Sequence, residues 1–366
     1  MKETAWMHWE HWILLSMLVF LASCAQQKHI PVGHSVHFSV DTIVQPFVSN
    51  RHSYALSIGI LRNGQSRFYN YGRISKTDAT SPTQHSLYEI GSITKTFTTT
   101  VLAEMVKKSE VSLDDPITKF LPDSVCKWPQ DRPITFLDLA THHSGLPRIP
   151  ENLKKSYKIN PANPYSNYFE EDLLEFLAYH KPIALEERTV SYSNLGMGLL
   201  GYLLMNIEDL GTYESLVDKY IFRPLDMNES VVNESSENLV PGHDNKGHAV
   251  SHWEMSALAG AGGIRSSTQD MIKYVEACLT NKFPSDILFQ PRYRFGDQGE
   301  IGLAWFLRKN ESNGSTIIWH NGGTGGFRSF LAFDPDQNLG VVVLTNSTHS
   351  VDDIGFQLIE RLTDKI

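Results

Sequence analysis

Ser92-Ile93-Thr94-Lys95 sets a hydroxyl and an amine three residues apart. On a helix those positions share a face, so the two groups can meet. Serine is a weak nucleophile until a base takes its proton, and an exposed ammonium cannot do that at neutral pH. Burial disfavours the charged amine, and the positive end of a helix dipole favours a developing alkoxide. A buried Lys95 at a helix start can therefore accept the Ser92 proton. Taken alone, the tetrapeptide reads equally as an N-cap serine followed by a solvated lysine.

Two further constellations add to it. Tyr192-Ser193-Asn194 stands directly before the small-residue run Leu195-Gly196-Met197-Gly198. A tyrosine hydroxyl beside a lysine can pass a proton to a leaving group, and an Asn side chain can orient a substrate amide and hold the lysine. The plainer reading is a buried tyrosine followed by a helix cap. Trp319-His320-Asn321-Gly322-Gly323-Thr324-Gly325-Gly326-Phe327 lies between strand-like runs. Glycines there allow close approach of another backbone or a ligand. The Gly323 N–H can pair with the Ser92 N–H as an oxyanion hole. His320 can position the Tyr192 hydroxyl or a substrate carboxylate. The segment matches neither phosphate-cradle pattern, and a wide glycine loop is the plainer alternative.

The elements that must position these groups follow from pattern. Ser53–Ile60 and Ser66–Ile74 read as strands joined at Asn63-Gly64, a strong hairpin signal. Thr316–Trp319, Phe327–Phe333 and Leu339–Leu344 read as three more, the last two joined at 334–338. Helical spacing marks Ser92–Lys108, Glu170–His180, Leu195–Ile207, Tyr213–Phe222, Thr268–Leu279 and a closing helix over Val351–Leu362. Pro147–Tyr165, rich in Pro and Asn, reads as a long surface loop. Strands at both ends with helices between predict an α+β fold. One antiparallel sheet forms from both chain ends, flanked by helices, with a mostly helical lobe inserted. The expected division is a sheet lobe of 41–85 plus 262–366 and a helical lobe of 86–261, with the active site between them.

Composition excludes other classes. The chain has 366 residues, 41% hydrophobic and 20% charged, which is ordinary for a globular protein and argues against disorder. A net charge of −9 without a basic run argues against nucleic acid as partner. Its 15 histidines include no H-x-H-x-D or H-E-x-x-H, so no metal is expected. Asp334, Asp336 and Asn338 imitate a calcium loop only briefly, with Thr345 where a Glu is needed. No G-x-S-x-G occurs, against an α/β-hydrolase. Trp12–Ala22 is an apolar run of signal-peptide length. It ends in Leu21-Ala22-Ser23-Cys24, which resembles a bacterial lipobox. The expectation is a signal peptide over 1–23, lipidation at Cys24, a tether over 24–40, and membrane contact through that anchor. Cys126 and Cys278 then remain, as a pair or as two buried thiols.

The order S-x-x-K, Y-x-N, H-x-G resembles the class C β-lactamase and DD-peptidase superfamily. Flanking segments match as well: Tyr88-Glu89-Ile90-Gly91, Leu113-Asp114-Asp115-Pro116, Thr141-His142-His143-Ser144-Gly145-Leu146-Pro147, Ile221-Phe222-Arg223-Pro224-Leu225, and Gly322 to Asp334. The resemblance implies a nucleophile at Ser92, an acid–base pair of Lys95 and Tyr192, and a substrate-amide ligand at Asn194. It implies the Ser92 and Gly323 N–H groups as oxyanion hole, substrate contacts along His320, Gly322, Gly323 and Thr324, and no cofactor. His142 and His143 are expected to be structural. One departure matters: class C β-lactamases carry Lys-Thr-Gly where this chain has His320-Asn321-Gly322. His320 is expected to supply the missing positive charge only partly, with Arg328 as a possible substitute anchor. The function expected is an exported serine hydrolase forming an acyl-enzyme on β-lactams or D-alanyl peptides, small molecules or peptides with an amide or ester carbonyl. The alternatives are a carboxylesterase on small esters and a penicillin-binding sensor without turnover.

Overall fold

The computed structural model describes residues 34–363 except 51–53, 124, 126–127, 129–132, 185–186 and 235. The chain divides after residue 42 into two units. Of the first, only the start of helix α1 (His34–Val48) is described. The expected signal peptide, Cys24 and most of the tether lie outside the described residues. The end of the tether is helical rather than patternless, in keeping with Val40, Ile43, Val44 and Phe47 at helical spacing.

The second unit takes in the rest of α1 and then a hairpin of β1 (Ala55–Arg62) and β2 (Gln65–Gly72). Asn63 and Gly64 both take positive φ, 51° and 74°, as a tight turn of this kind requires. After β3 (Tyr88–Glu89) a 3-10 turn, Gly91–Ile93, leads into helix α2 (Thr94–Lys107). Next come α3 (Phe136–Ala140), α4 (Leu153–Ile159), α5 (Glu170–Tyr179), α6 (Asn194–Ile207) and α7 (Tyr213–Val217). Short strands β4 (Val231–Val232), β5 (Gly242–His243), β6 (Ala249–Val250) and β7 (Ile264–Ser266) precede α8 (Thr268–Leu279) and α9 (Ser285–Leu288). Strands β8 (Tyr293–Arg294), β9 (Glu300–Ile301), β10 (Phe306–Lys309), β11 (Thr316–Gly323), β12 (Arg328–Asp334) and β13 (Leu339–Thr345) lead to the closing helix α10 (Asp352–Thr363).

The two chain ends meet in an eight-stranded antiparallel sheet, ordered β2-β1-β13-β12-β11-β10-β9-β8. Leu56 stands opposite Thr345, and Phe330 opposite Val343. A helix covers each face. A Cβ on Gly340 would meet Val275 of α8, whereas Gly355 of α10 lies against Phe330. Gly340 pairs with Phe333, three residues from Phe330 and so on the other face. Double coverage explains why β13 reads as an unbroken apolar run. The fold is α+β, as expected.

Several details differ from the sequence reading. The 147–165 stretch contains α4, because 153–159 is free of Gly and Pro between flanking prolines. Helix α7 gives way to a wider π turn over Asp218–Phe222 just before Pro224. Strand β11 runs on through His320 to Gly323 instead of ending at Trp319, since the glycines pair with Ser329 and Arg328 of β12. Cys278 is a buried free thiol, and Cys126 lies outside the described residues.

Candidate active site

Ser92 lies in the 3-10 turn ahead of α2 and caps neither helix, since no side-chain cap bond forms at Ile90 or Ile93. Gly91 makes the turn possible. Its φ is 51°, and a Cβ there would lie 2.7 Å from the Gly323 nitrogen. The backbone of β11 therefore passes directly against the serine turn. Gly322 is as tightly placed, because a Cβ would stand 2.0 Å from the Ile90 oxygen. Ser329 Oγ donates to that same Ile90 carbonyl at 2.7 Å.

Lys95, one residue into α2, is fully buried. Its Nζ lies 2.9 Å from Ser92 Oγ and donates to the Ala261 carbonyl at 2.6 Å. Burial, with the Arg148 guanidinium second, holds its pKa well below the ordinary lysine value. The Ala261 carbonyl reaches Lys95 because the 256–261 turn presses on α6 where that helix has no side chains. A Cβ on Gly198 would stand 2.4 Å from Leu258, and one on Gly201 3.0 Å from the Gly260 Cα. Thr98 completes the clasp by donating to the Gly260 carbonyl at 2.7 Å.

The Tyr192 hydroxyl faces Ser92, which lowers its pKa, while burial, the larger cause, raises it above that of an ordinary phenol. The Lys95 Nζ sits 4.9 Å from the centre of its ring, and the Arg148 guanidinium 5.0 Å. Tyr192 is thus protonated at neutral pH and in contact with the serine. Ser193 caps α6, its Oγ accepting from the Gly196 N–H at 2.9 Å. Asn194 Nδ2 donates to the Tyr165 hydroxyl at 3.3 Å, while its Oδ1 is buried with no partner among the described residues. That leaves an acceptor available for a substrate N–H. Contrary to expectation, the lysine is held by Ala261.

His320 is fully buried beside Phe306, with ring centres 5.1 Å apart. Its Nδ1 lies 2.6 Å from the Asn321 carbonyl, which only accepts, so Nδ1 carries the proton. Burial first, and then Lys95, lower its pKa to about 3. The partial positive charge expected at His320 is therefore absent at neutral pH. Its ring centre stands 6.4 Å from that of Tyr192. Arg328 Nη1 donates to the carbonyls of Thr324 and Phe327, at 2.9 and 2.7 Å, and so braces the glycine turn. Thr324 Oγ1 is buried and lacks a partner among the described residues.

Ser92, Lys95, Tyr192 and the Gly322–Gly323 strand are thus brought together, with Asn194 two residues beyond Tyr192. Sequence reasoning missed Ala261, Arg148 and Tyr165. A signal for the first existed in Gly260-Ala261-Gly262-Gly263, a run of small residues that permits close approach of neighbouring backbone. A serine beside a buried amine whose charged form burial disfavours, and beside a protonated phenol, can attack a carbonyl and protonate what leaves.

A family model described as Beta-lactamase matches residues 40–361. The chain is 26% identical to a "Beta-lactamase" of Escherichia coli (strain K12), over 92% of this chain and 94% of the relative. It is 26% identical to the "D-alanyl-D-alanine-carboxypeptidase/endopeptidase AmpH" of the same organism, over 80% and 79%. Among solved structures, a class C beta lactamase from Rhodobacter sphaeroides superposes with a TM-score of 0.75 at 23% identity, over 89% of this chain and 99% of the other, and shares the fold. A family match that runs through nearly the whole second unit, and through every residue of the site, means that this chain belongs to the β-lactamase family and is a serine hydrolase.

Proposed function

We propose that the protein cleaves an amide or ester carbonyl through an acyl-enzyme at Ser92, on β-lactams or D-alanyl peptides. The observation that carries this reading is the buried Lys95 amine 2.9 Å from Ser92 Oγ. A neutral amine has a lone pair for the Oγ proton. Oγ then bonds to the carbonyl carbon, and the oxyanion forms against the N–H groups of Ser92 and Gly323. As the C–N or C–O bond breaks, Tyr192 protonates the leaving group and regains its proton from Lys95. Water attacks the acyl-enzyme next, passes a proton to the same pair, and Ser92 leaves reprotonated. Asn194 Oδ1 accepts from the substrate amide.

One observation favours carboxylesterase activity as a second reading. At the third motif His320 is neutral, and the Arg328 guanidinium is engaged by the carbonyls of its own turn. Beside Tyr165 and Trp253 lies a largely apolar cavity of about 360 Å³, reaching Ile149, Leu153 and Tyr157, suited to an uncharged acyl group. Nitrocefin and p-nitrophenyl butyrate separate the readings. Rapid nitrocefin turnover supports a lactamase, and ester turnover alone the esterase. A stable adduct without turnover indicates a penicillin-binding sensor. Ser92→Ala should abolish adduct and turnover alike; labelling that survives it would remove Ser92 as nucleophile. Export and lipidation at Cys24 belong to the same proposal, and are tested by incorporation of labelled palmitate that Cys24→Ser prevents.

A further inference from the structure

We propose that His142 is the positioning residue for Tyr192. It follows α3 at φ 58°, a left-handed conformation disfavoured for a residue with a Cβ. Such backbone persists only where surrounding bonds determine it, and here they do. The His142 carbonyl accepts the Ser191 N–H at 2.8 Å. Its ring Nδ1 lies 3.3 Å from the Ser193 nitrogen, whose N–H can only donate, so Nδ1 accepts. Its ring centre stands 4.4 Å from that of Tyr192. One side chain and its own carbonyl thus hold the amide before Tyr192, the amide after it, and the phenol ring itself.

The arrangement needs a neutral ring of one tautomer. With Nδ1 accepting, the proton sits on Nε2, which is buried and has no partner among the described residues. A second proton on Nδ1 would face the Ser193 N–H and add a cation near Lys95, His320 and Arg148. Burial first, then those three groups, hold the His142 pKa well below the ordinary value. Pro147 and Arg148 hold the residues that follow, through Ser193 Oγ at 2.7 Å and the Asn194 N–H at 2.9 Å, but the N–H groups of Ser191 and Ser193 both go to His142. Ser193 belongs to the cap of α6, and the chain ahead of Ser191 is irregular. His142 touches no reacting atom. It acts by keeping the Tyr192 hydroxyl on Ser92.

The inference rests on Tyr192 being the proton donor to the leaving group, and that gives a readout which loss of packing alone would not move. Phenolate is a poor leaving group that needs the proton, whereas p-nitrophenolate leaves largely without it. His142→Phe keeps an aromatic ring and removes both ring nitrogens, of which only Nδ1 has a partner among the described residues. It should lower kcat on phenyl butyrate about 100-fold, the scale of a misplacement near 1 Å, with KM little changed. The loss on p-nitrophenyl butyrate should be clearly smaller. His142→Asn keeps a carbonyl acceptor and tolerates the left-handed backbone, so it should recover most of the loss. His142→Leu serves if the Phe protein does not fold, as read by Tm. Equal losses on the two esters, no loss, or no recovery by Asn would overturn the inference. Tyr192→Phe is the control. If it lacks the leaving-group dependence, the shuttle reading itself fails. If it has the dependence and the His142 variants do not, only the role of His142 falls.

Discussion

Ser329 Oγ donates to the Ile90 carbonyl at 2.7 Å, so strand β12 holds the turn that presents Ser92, the proposed nucleophile, two residues later. The same carbonyl bounds Gly322, where a Cβ would stand 2.0 Å from it. Sheet and serine turn are therefore positioned through one backbone oxygen.

Ser329→Ala leaves the Ile90 carbonyl without this donor. The expected cost is about 1–2 kcal/mol in urea unfolding, with a modest loss of kcat. Gly322→Ala should be far worse for activity, about 100-fold, because its clash is with backbone and must move the oxyanion side of the site. Comparable kcat values for the two proteins would show that this contact does not set the geometry.

Lys95→Met should reduce Ser92 acylation by about 100- to 10,000-fold, the range for loss of a general base. Stability should respond too. A lysine whose pKa is lowered by folding binds its proton more readily in the unfolded chain. Between that lowered pKa and the ordinary 10.5, stability therefore rises with pH, by up to about 1.4 kcal/mol per unit. Denaturant midpoints from pH 7 to 9 should climb less steeply in Lys95→Met than in the parent protein.

His320 contributes at the acid end. Its pKa falls from 6.5 to about 3 on folding, so the unfolded chain binds more protons between those values. Stability contributed by the neutral ring is present above pH 6.5 and is lost as pH falls toward 3. His320→Phe, among the aromatic neighbours Phe306 and Trp319, should flatten that decline between pH 6.5 and 4.5 (about two units of the window). An unchanged acid limb in urea titrations would count against a buried neutral His320.

Arg328→Ala removes two bonds to the carbonyls of Thr324 and Phe327. The expected result is a similar drop in kcat/KM on anionic and uncharged substrates. A drop confined to substrates bearing a carboxylate would assign the guanidinium to the anion instead.

Much of this was legible where local chemistry decides. Asn63-Gly64 announces the hairpin, and the spacing of Ser92 and Lys95 foretells their contact, although Ser92 sits in the 3-10 turn ahead of the helix that carries Lys95. The unbroken run in β13 marks a strand covered on both sides. What was not legible depends on tertiary approach. The Ala261 carbonyl reaches Lys95 only because Gly198 and Gly201 admit the 256–261 turn. The neutrality of His320 follows from extension of β11 and from packing on Phe306 of β10, a four-residue strand without a pattern of its own. His142 looked structural because its ties to Ser191 and Ser193 join segments about fifty residues apart, too far for any local rule.

Ile90 and Ser329 are 239 residues apart in the chain, and Ala55 and Asn346, which bond across β1 and the end of β13, are 291 apart. Contacts of that span form late, after the local helices. A chain still emerging from the ribosome, or newly released from denaturant, can therefore have α2 formed while its serine remains inert. On the proposed chemistry, reactivity at Ser92 would report that the strands near Ala55 and Asn346 have both been made and joined.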